Sequence, residues 1–203
     1  MIILVTGFEP FTPYKANPSE ELARGFDGYR VGEAVVRATV LPVHHAEASA
    51  RMLALLDTVR PDAVLGLGLA GSRARIALER VAVNVMDYAV PDNAGCQTQD
   101  EPCVPSGPAA YFTTLPSRTI VARLVDAGIP AYLSDTAGTY LCNQTLYTTL
   151  HAVARHDAPP RVGFMHVPPL PSMVAASGLD QPSMDLTLMR RAVEIALDVI
   201  AAG

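Results

Sequence analysis

Short unbroken apolar runs alternate along this chain with longer stretches in which apolar residues recur every three or four positions. The runs read as strands buried on both faces, and the periodic stretches as amphipathic helices. Ile2-Ile3-Leu4-Val5-Thr6 opens the chain as a central strand ended by Gly7, and residues 35–40 and 63–67 repeat the pattern. Between the first two strands, Asn17 reads as a helix N-cap with Pro18 in the first helical position. Residues 44–59 read as the next helix, with His44 and His45 at its start. Ile76, Leu78, Val81, Val83 and Val85 keep a two-residue spacing that slips once at Arg80, which predicts strand. Residues 92–108 form a long turn-rich loop, the kind of segment that serves as a lid. A helix over 118–127 ended by Gly128, a strand over 129–134, a helix over 140–155 capped by Thr139, a strand over 161–167 stopped by Pro168-Pro169, and a final helix over 186–200 complete the order. This alternation predicts an α/β fold: one domain over residues 1–203, a three-layer α/β/α sandwich around a mixed, mostly parallel twisted sheet.

Composition narrows the partners. Half of the 203 residues are apolar, enough for one substantial core. The net charge is −5 and no basic cluster occurs, which argues against nucleic acid and anionic membrane and in favour of a small target. The opening apolar run lacks a basic flank and is too short for a signal peptide or a membrane span, so a cytoplasmic location is expected. Three cysteines, Cys96, Cys103 and Cys142, form no paired spacing, as in a reducing compartment. His44-His45 and His151/His156 do not combine with them into a zinc-ligand spacing, so neither metal nor cofactor is expected.

The candidate chemistry centres on Thr136-Ala137-Gly138-Thr139-Tyr140-Leu141-Cys142-Asn143. It places Cys142 at the third position of a helix that follows a strand, where the helix dipole and unpaired backbone N–H groups favour thiolate. The same residue shares a helical face with Leu146, Thr149, Leu150 and Val153, and on periodicity alone it is a small core residue. Glu79 is a carboxylate inside an apolar run. It pairs either with Arg73, Arg75 or Arg80, or with a histidine that it orients. His166 falls near the C-terminal end of a strand, where α/β sites form, and is equally readable as a core histidine. Phe8 and Phe11 follow the end of the first strand, in the same kind of position. Gly66-Leu67-Gly68-Leu69-Ala70-Gly71 matches G-x-G-x-x-G, but β-branched residues follow where the dinucleotide fingerprint needs a helix, so NAD binding is rejected.

The octet around Cys142 resembles the nucleophile motif of the pyroglutamyl peptidase I (pyrrolidone carboxyl peptidase) family of cysteine peptidases. Gly7-Phe8-Glu9-Pro10-Phe11, Asn17-Pro18-Ser19, Pro91-Asp92-Asn93, Gly107-Pro108-Ala109-Ala110-Tyr111-Phe112, His166-Val167-Pro168 and Pro182-Ser183-Met184 extend the similarity over nearly the whole chain. The resemblance implies a Glu79, Cys142 and His166 triad that forms a thioacyl-enzyme and cuts the bond after an N-terminal pyroglutamate. It implies a lactam site built from Phe8, Phe11, Asn17, Leu69, Val90, Tyr140 and Leu141, glycines at 66–71 that let the backbone approach the lactam, and a homo-oligomer, dimer or tetramer. Three positions depart from the family pattern: Tyr140 where Phe is expected, Leu69 where many members carry Gln, and Ala89 where many carry Arg near the scissile carbonyl. A catalytically silent binding protein of the same fold is the competing reading, and a nucleoside phosphorylase-like enzyme a more distant one.

Overall fold

The computed structural model describes residues 1–203 and contains a seven-stranded mixed sheet with six helices. The first apolar run becomes β1 (Ile2–Phe8), flanked in parallel by β3 (Ala34–Leu41) and β4 (Ala63–Leu69), with β9 (Arg161–Val167) parallel beyond β4. β5 (Ile76–Glu79) then pairs antiparallel with β9, and β8 (Ala131–Ser134) lies parallel to β5 at the edge. A two-residue strand, β2 (Arg30–Val31), closes the other edge as a hairpin with β3.

The slip at Arg80 is a change of sheet. β5 stops at Glu79, and Val81–Val83 forms β6, which leaves the main sheet and pairs with β7 (Ala110–Phe112) as a separate two-stranded ribbon. At the turn Arg80 pairs with Asp135 at 2.9 Å. The period-two pattern is thus two strands whose inward faces look at different layers.

Helices cover both faces. α1 (Pro18–Phe26), α3 (Ser117–Asp126) and α6 (Leu186–Ala201) pack on one side, where Leu22, Phe26, Ile120, Leu124, Val193 and Leu197 meet Ile3, Val5, Leu65 and Leu67. α2 (His45–Val59) and α4 (Leu141–Val153) pack on the other, against Leu4, Val64, Val162 and Phe164. Short α5 (Pro171–Ser177) follows β9. Three of these elements, β2, β7 and α5, fall outside the apolar pattern because each is short and partly exposed. No helix is long and apolar enough to cross a membrane.

Caps decide the boundaries. Asn17 Oδ1 accepts from Ser19 N–H at 3.0 Å and Asp185 Oδ1 from Thr187 N–H at 2.8 Å, as expected of side chains ahead of a first helical turn. Thr139 is not the cap of α4. Its hydroxyl donates to Asp87 O at 2.7 Å, so the helix starts one residue later behind Tyr140, which supplies no side-chain cap. Loop 92–108 is pinned rather than free, since Asn84 Nδ2 donates to Val104 O and Gly107 O while Asn84 Oδ1 accepts from Val104 N–H.

Candidate active site

The direction change between β9 and β5 brings the chemistry together. Glu79 stands directly opposite Phe164 in the antiparallel pair, and His166 opposite Ala77, so Glu79 and His166 are diagonal neighbours on one face. His166 Nδ1 lies 2.8 Å from Glu79 Oε1. The same oxygen accepts from the Arg73 guanidinium, whose other nitrogen donates to Thr136 O at 3.0 Å. The two readings open for Glu79 are therefore both realised: it pairs with an arginine and with a histidine. The carboxylate is fully buried and Oε2 has no partner. An ion held this way needs its counter-charge, and Arg73 supplies it. Arg75 is occupied elsewhere, 4.5 Å above the Tyr132 ring, as Arg80 is by Asp135.

Glycines in β4 make room above the sheet. A Cβ on Gly66 would lie 2.4 Å from the Phe164 ring, and one on Gly68 only 2.8 Å from Cys142 Sγ. Gly68 is the cross-strand partner of His166, so the sulfur and the imidazole face one cavity over the same bare backbone. This is what the G-x-G spacing serves: β4 runs straight through it as strand, with no helix opening there.

Cys142 occupies the second position of α4, not the third, because the helix starts at Leu141. The helix-start effects that favour thiolate are opposed here. Burial pushes the thiol up to about 12 and the Glu79 charge adds to it, outweighing Arg73 and the residue's own backbone N–H. Loss of water around the sulfur thus works against the helix start, which favours thiolate.

A cavity of about 160 Å³ opens above the pair. It is smaller than the ~300 Å³ at which drug-sized sites begin. Its lining comprises Phe8, Phe11, Asn17, Val43, Leu69, Ala137, Tyr140, Leu141, Cys142 and His166. Val90 is not part of it and is 39% exposed. Val43 and Ala137 are lining residues that the sequence did not single out, being small apolar positions like many others. Phe8 is the last residue of β1 rather than a loop residue. The Tyr140 ring packs 5.9 Å from Phe11 and 4.6 Å from Tyr88, and its hydroxyl donates to Pro91 O at 3.2 Å, the partner that a half-buried phenol requires. Asn143, beside the cysteine, turns away: it exchanges hydrogen bonds with the backbone of Val83 and reaches Val85 O, tying α4 to β6.

The family model for pyroglutamyl peptidase matches residues 1–202. A pyrrolidone-carboxylate peptidase of Pyrococcus furiosus is 43% identical over 202 residues, covering 98% of this chain and 97% of that protein. One from Cupriavidus taiwanensis is 46% identical over 196 residues, covering 96% and 90%. The crystal structure of pyrrolidone carboxyl peptidase from P. furiosus superposes with a TM-score of 0.96 at 42% identity, covering 100% of this chain and 99% of that one. With the family matched end to end and its fold reproduced, the chain belongs to the pyroglutamyl peptidases.

Proposed function

We propose that this chain removes an N-terminal pyroglutamyl residue from peptides, with Cys142 as nucleophile, His166 as base and acid, and Glu79 as the group that orients His166. The observation that carries the reading is the file Arg73, Glu79, His166 ending at the cavity that also holds the Cys142 sulfur. Glu79, paired with Arg73, fixes the proton of His166 on Nδ1 and leaves Nε2 as the base. The Cys142 thiol, pushed up by burial, passes its proton to Nε2 as sulfur attacks the scissile carbonyl. The imidazolium then protonates the departing amine, leaving a pyroglutamyl thioester on Cys142. A water, deprotonated by the same nitrogen, hydrolyses it to free pyroglutamate and thiol.

The oxyanion is met by the first-turn N–H groups of α4, which no side chain caps. Pyroglutamate is an uncharged lactam without an α-amino group. A small apolar cavity walled by Phe8, Phe11, Leu69, Tyr140 and Leu141 suits it, and Asn17 lies at the same wall. Asn17 is also committed to capping α1 and donates to Glu9 O at 3.1 Å, so it acts here by holding the wall. We read the chain as a cytoplasmic homo-oligomer. Phe112, 68% exposed on the β6–β7 ribbon, supports an interface there, and sedimentation velocity of wild type against Phe112→Ser tests it.

Release of the chromophore from a pyroglutamyl anilide, lost in Cys142→Ser, is the expected result. A folded wild type that binds pyroglutamyl peptides without cutting them would identify a silent binding protein instead.

A further inference from the structure

Outside the cavity lies a second file of carboxylate, imidazole and thiol, made by Asp92, His45 and Cys96. His45 opens α2, and loop 92–96 folds back onto it, with Asn93 N–H donating to Val43 O at 2.9 Å. Asp92 is buried and holds both of its partners. Its Oδ1 accepts from the N–H groups of Ala94 and Cys96, each at 2.9 Å, and its Oδ2 from His45 N–H at 2.8 Å. Burial acts to raise this carboxyl, but the hydrogen bonds from His45, Cys96 and Ala94 hold it below its ordinary value of 3.8, so it is ionised at neutral pH. His45 Nδ1 lies 3.2 Å from the same Oδ2, which keeps the imidazole proton on that nitrogen. The Nε2 lone pair then meets Cys96 Sγ at 3.9 Å, within hydrogen-bond range of a sulfur. The His44 ring stacks on that of His45, centroids 5.2 Å apart and planes within 8°, and fixes its plane.

The three thiols of the chain stand in different surroundings. Burial pushes Cys103 up to about 11 and Cys142 up to about 12. Cys103 is also engaged, donating to Val85 O at 3.5 Å. Cys96 is half-buried between exposed Gly95 and Gln97, so a reagent in solution reaches it, and a base already stands at its sulfur. Partial exposure beside a histidine is the setting in which cysteines react as nucleophiles.

We infer that Cys96 is a modification site, a thiol that forms a mixed disulfide with low-molecular-weight disulfides, with His45 as its base and Asp92 as the positioning residue behind His45. The thiol proton passes to His45 Nε2 as the Cys96 sulfur attacks one sulfur of the disulfide. An S–S bond to Cys96 forms, the S–S bond of the reagent breaks, and the departing thiolate takes the proton from Nε2 and leaves as free thiol. One disulfide is exchanged for another, so no separate oxidant is needed, and excess thiol reverses the step. The site uses none of the catalytic side chains and stands apart from the proposed reaction. It adjoins the cavity wall through Tyr140, which donates to Pro91 O, and through Gln144 of α4, which donates to His45 O at 2.7 Å. The linear order conceals it, since 51 residues separate His45 from Cys96.

The test is exchange of the wild-type protein with 2-hydroxyethyl disulfide, an uncharged probe, at neutral pH, with the adduct at each cysteine followed by peptide mass mapping. The proposal predicts that Cys96 is modified faster than Cys103 and that excess thiol removes its adduct. In His45→Gln the rate at Cys96 falls about threefold or more, because a tenfold loss of thiolate is partly offset by the greater nucleophilicity of the more basic sulfur. Nitrogen-15 NMR of the His45 ring reads the role of Asp92 directly: the wild-type ring carries a proton on Nδ1, and in Asp92→Asn that proton shifts toward Nε2 while the rate at Cys96 falls. Far-UV circular dichroism establishes that each variant is folded; the adduct map and the wild-type tautomer decide should a variant unfold. Modification of Cys103 ahead of Cys96 would overturn the proposal. So would a rate at Cys96 unchanged in folded His45→Gln, a wild-type His45 protonated on Nε2 alone, or a tautomer and rate that are both unaltered in folded Asp92→Asn.

Discussion

Glu79 is the residue on which the site's electrostatics turn, since one buried oxygen serves both Arg73 and His166. Glu79→Gln keeps the volume but presents a neutral amide that can hold the wrong imidazole tautomer. We expect kcat to fall by up to about 10⁴ while the fold persists, with kcat and circular dichroism as the paired readouts. A variant that unfolds, yet keeps full activity per folded molecule, would reduce Glu79 to an ion-pair partner of Arg73. The raised Cys142 thiol makes a second prediction. Alkylation of Cys142 by iodoacetamide in the free protein should accelerate steadily from about pH 6 to about pH 9, because the reactive thiolate forms only as pH climbs toward a pKa pushed well up. A rate that is flat over this range would show a preformed thiolate. Ala89 supplies a third. It is exposed, and none of Arg73, Arg75 or Arg80 has a free guanidinium to replace the arginine that the family resemblance places there. Ala89→Arg should therefore raise kcat with little change in KM, as for an interaction made in the transition state. An unchanged or lowered kcat would mean that the backbone donors suffice.

Among the elements, the strands were the most legible in the sequence, because burial on both faces writes a continuous apolar run. The cysteine at a helix start and the carboxylate in an apolar run were visible as local anomalies. What the sequence could not show was set by contacts distant along the chain. Thr139 looked like an N-cap until Asp87 O claimed its hydroxyl. The Cys142 thiol looked activated until burial, a property of packing, pushed it the other way. Gly66 and Gly68 match a nucleotide fingerprint that the β-branched residues after it already rule out, but their clearing of space for Phe164 and the Cys142 sulfur shows only in the fold. That last role is testable in β4. Gly68→Ala puts a methyl 2.8 Å from Cys142 Sγ and 2.9 Å from the Phe164 ring. We expect a stability loss of about 1–3 kcal/mol in denaturant titrations, together with a disproportionate loss of kcat as the sulfur is displaced. Full activity in a folded Gly68→Ala protein would contradict the close approach.

At the scale of the whole molecule, one sheet with a reversed pair of strands separates two cores, and the candidate site lies on the side covered by α2 and α4. The other face depends on α6, which carries Val193, Leu197 and Ile200 into the core behind β1 and β4. Its cap is acid-sensitive. Hydrogen bonds from Thr187 hold the Asp185 carboxyl below its ordinary value of 3.8. A carboxylate with a lowered folded-state pKa contributes stability above the unfolded value and loses it as pH falls through the folded one. Asp185→Ala should accordingly lower the denaturation midpoint at neutral pH and make little difference near pH 2, whereas an equal effect at both would mean that the charge is irrelevant to the cap.

We propose that this fold brings Cys142 and His166 to one small apolar cavity, with Glu79 behind His166, in order to cut after pyroglutamate. Steady-state hydrolysis of a pyroglutamyl anilide, measured for wild type beside Cys142→Ser and Cys103→Ser, tests it most directly. The prediction is turnover by wild type and by Cys103→Ser, with a covalent pyroglutamyl adduct mapping to Cys142, and none by Cys142→Ser. Undiminished turnover in Cys142→Ser, or no turnover by a folded wild type that still binds the peptide, would contradict it.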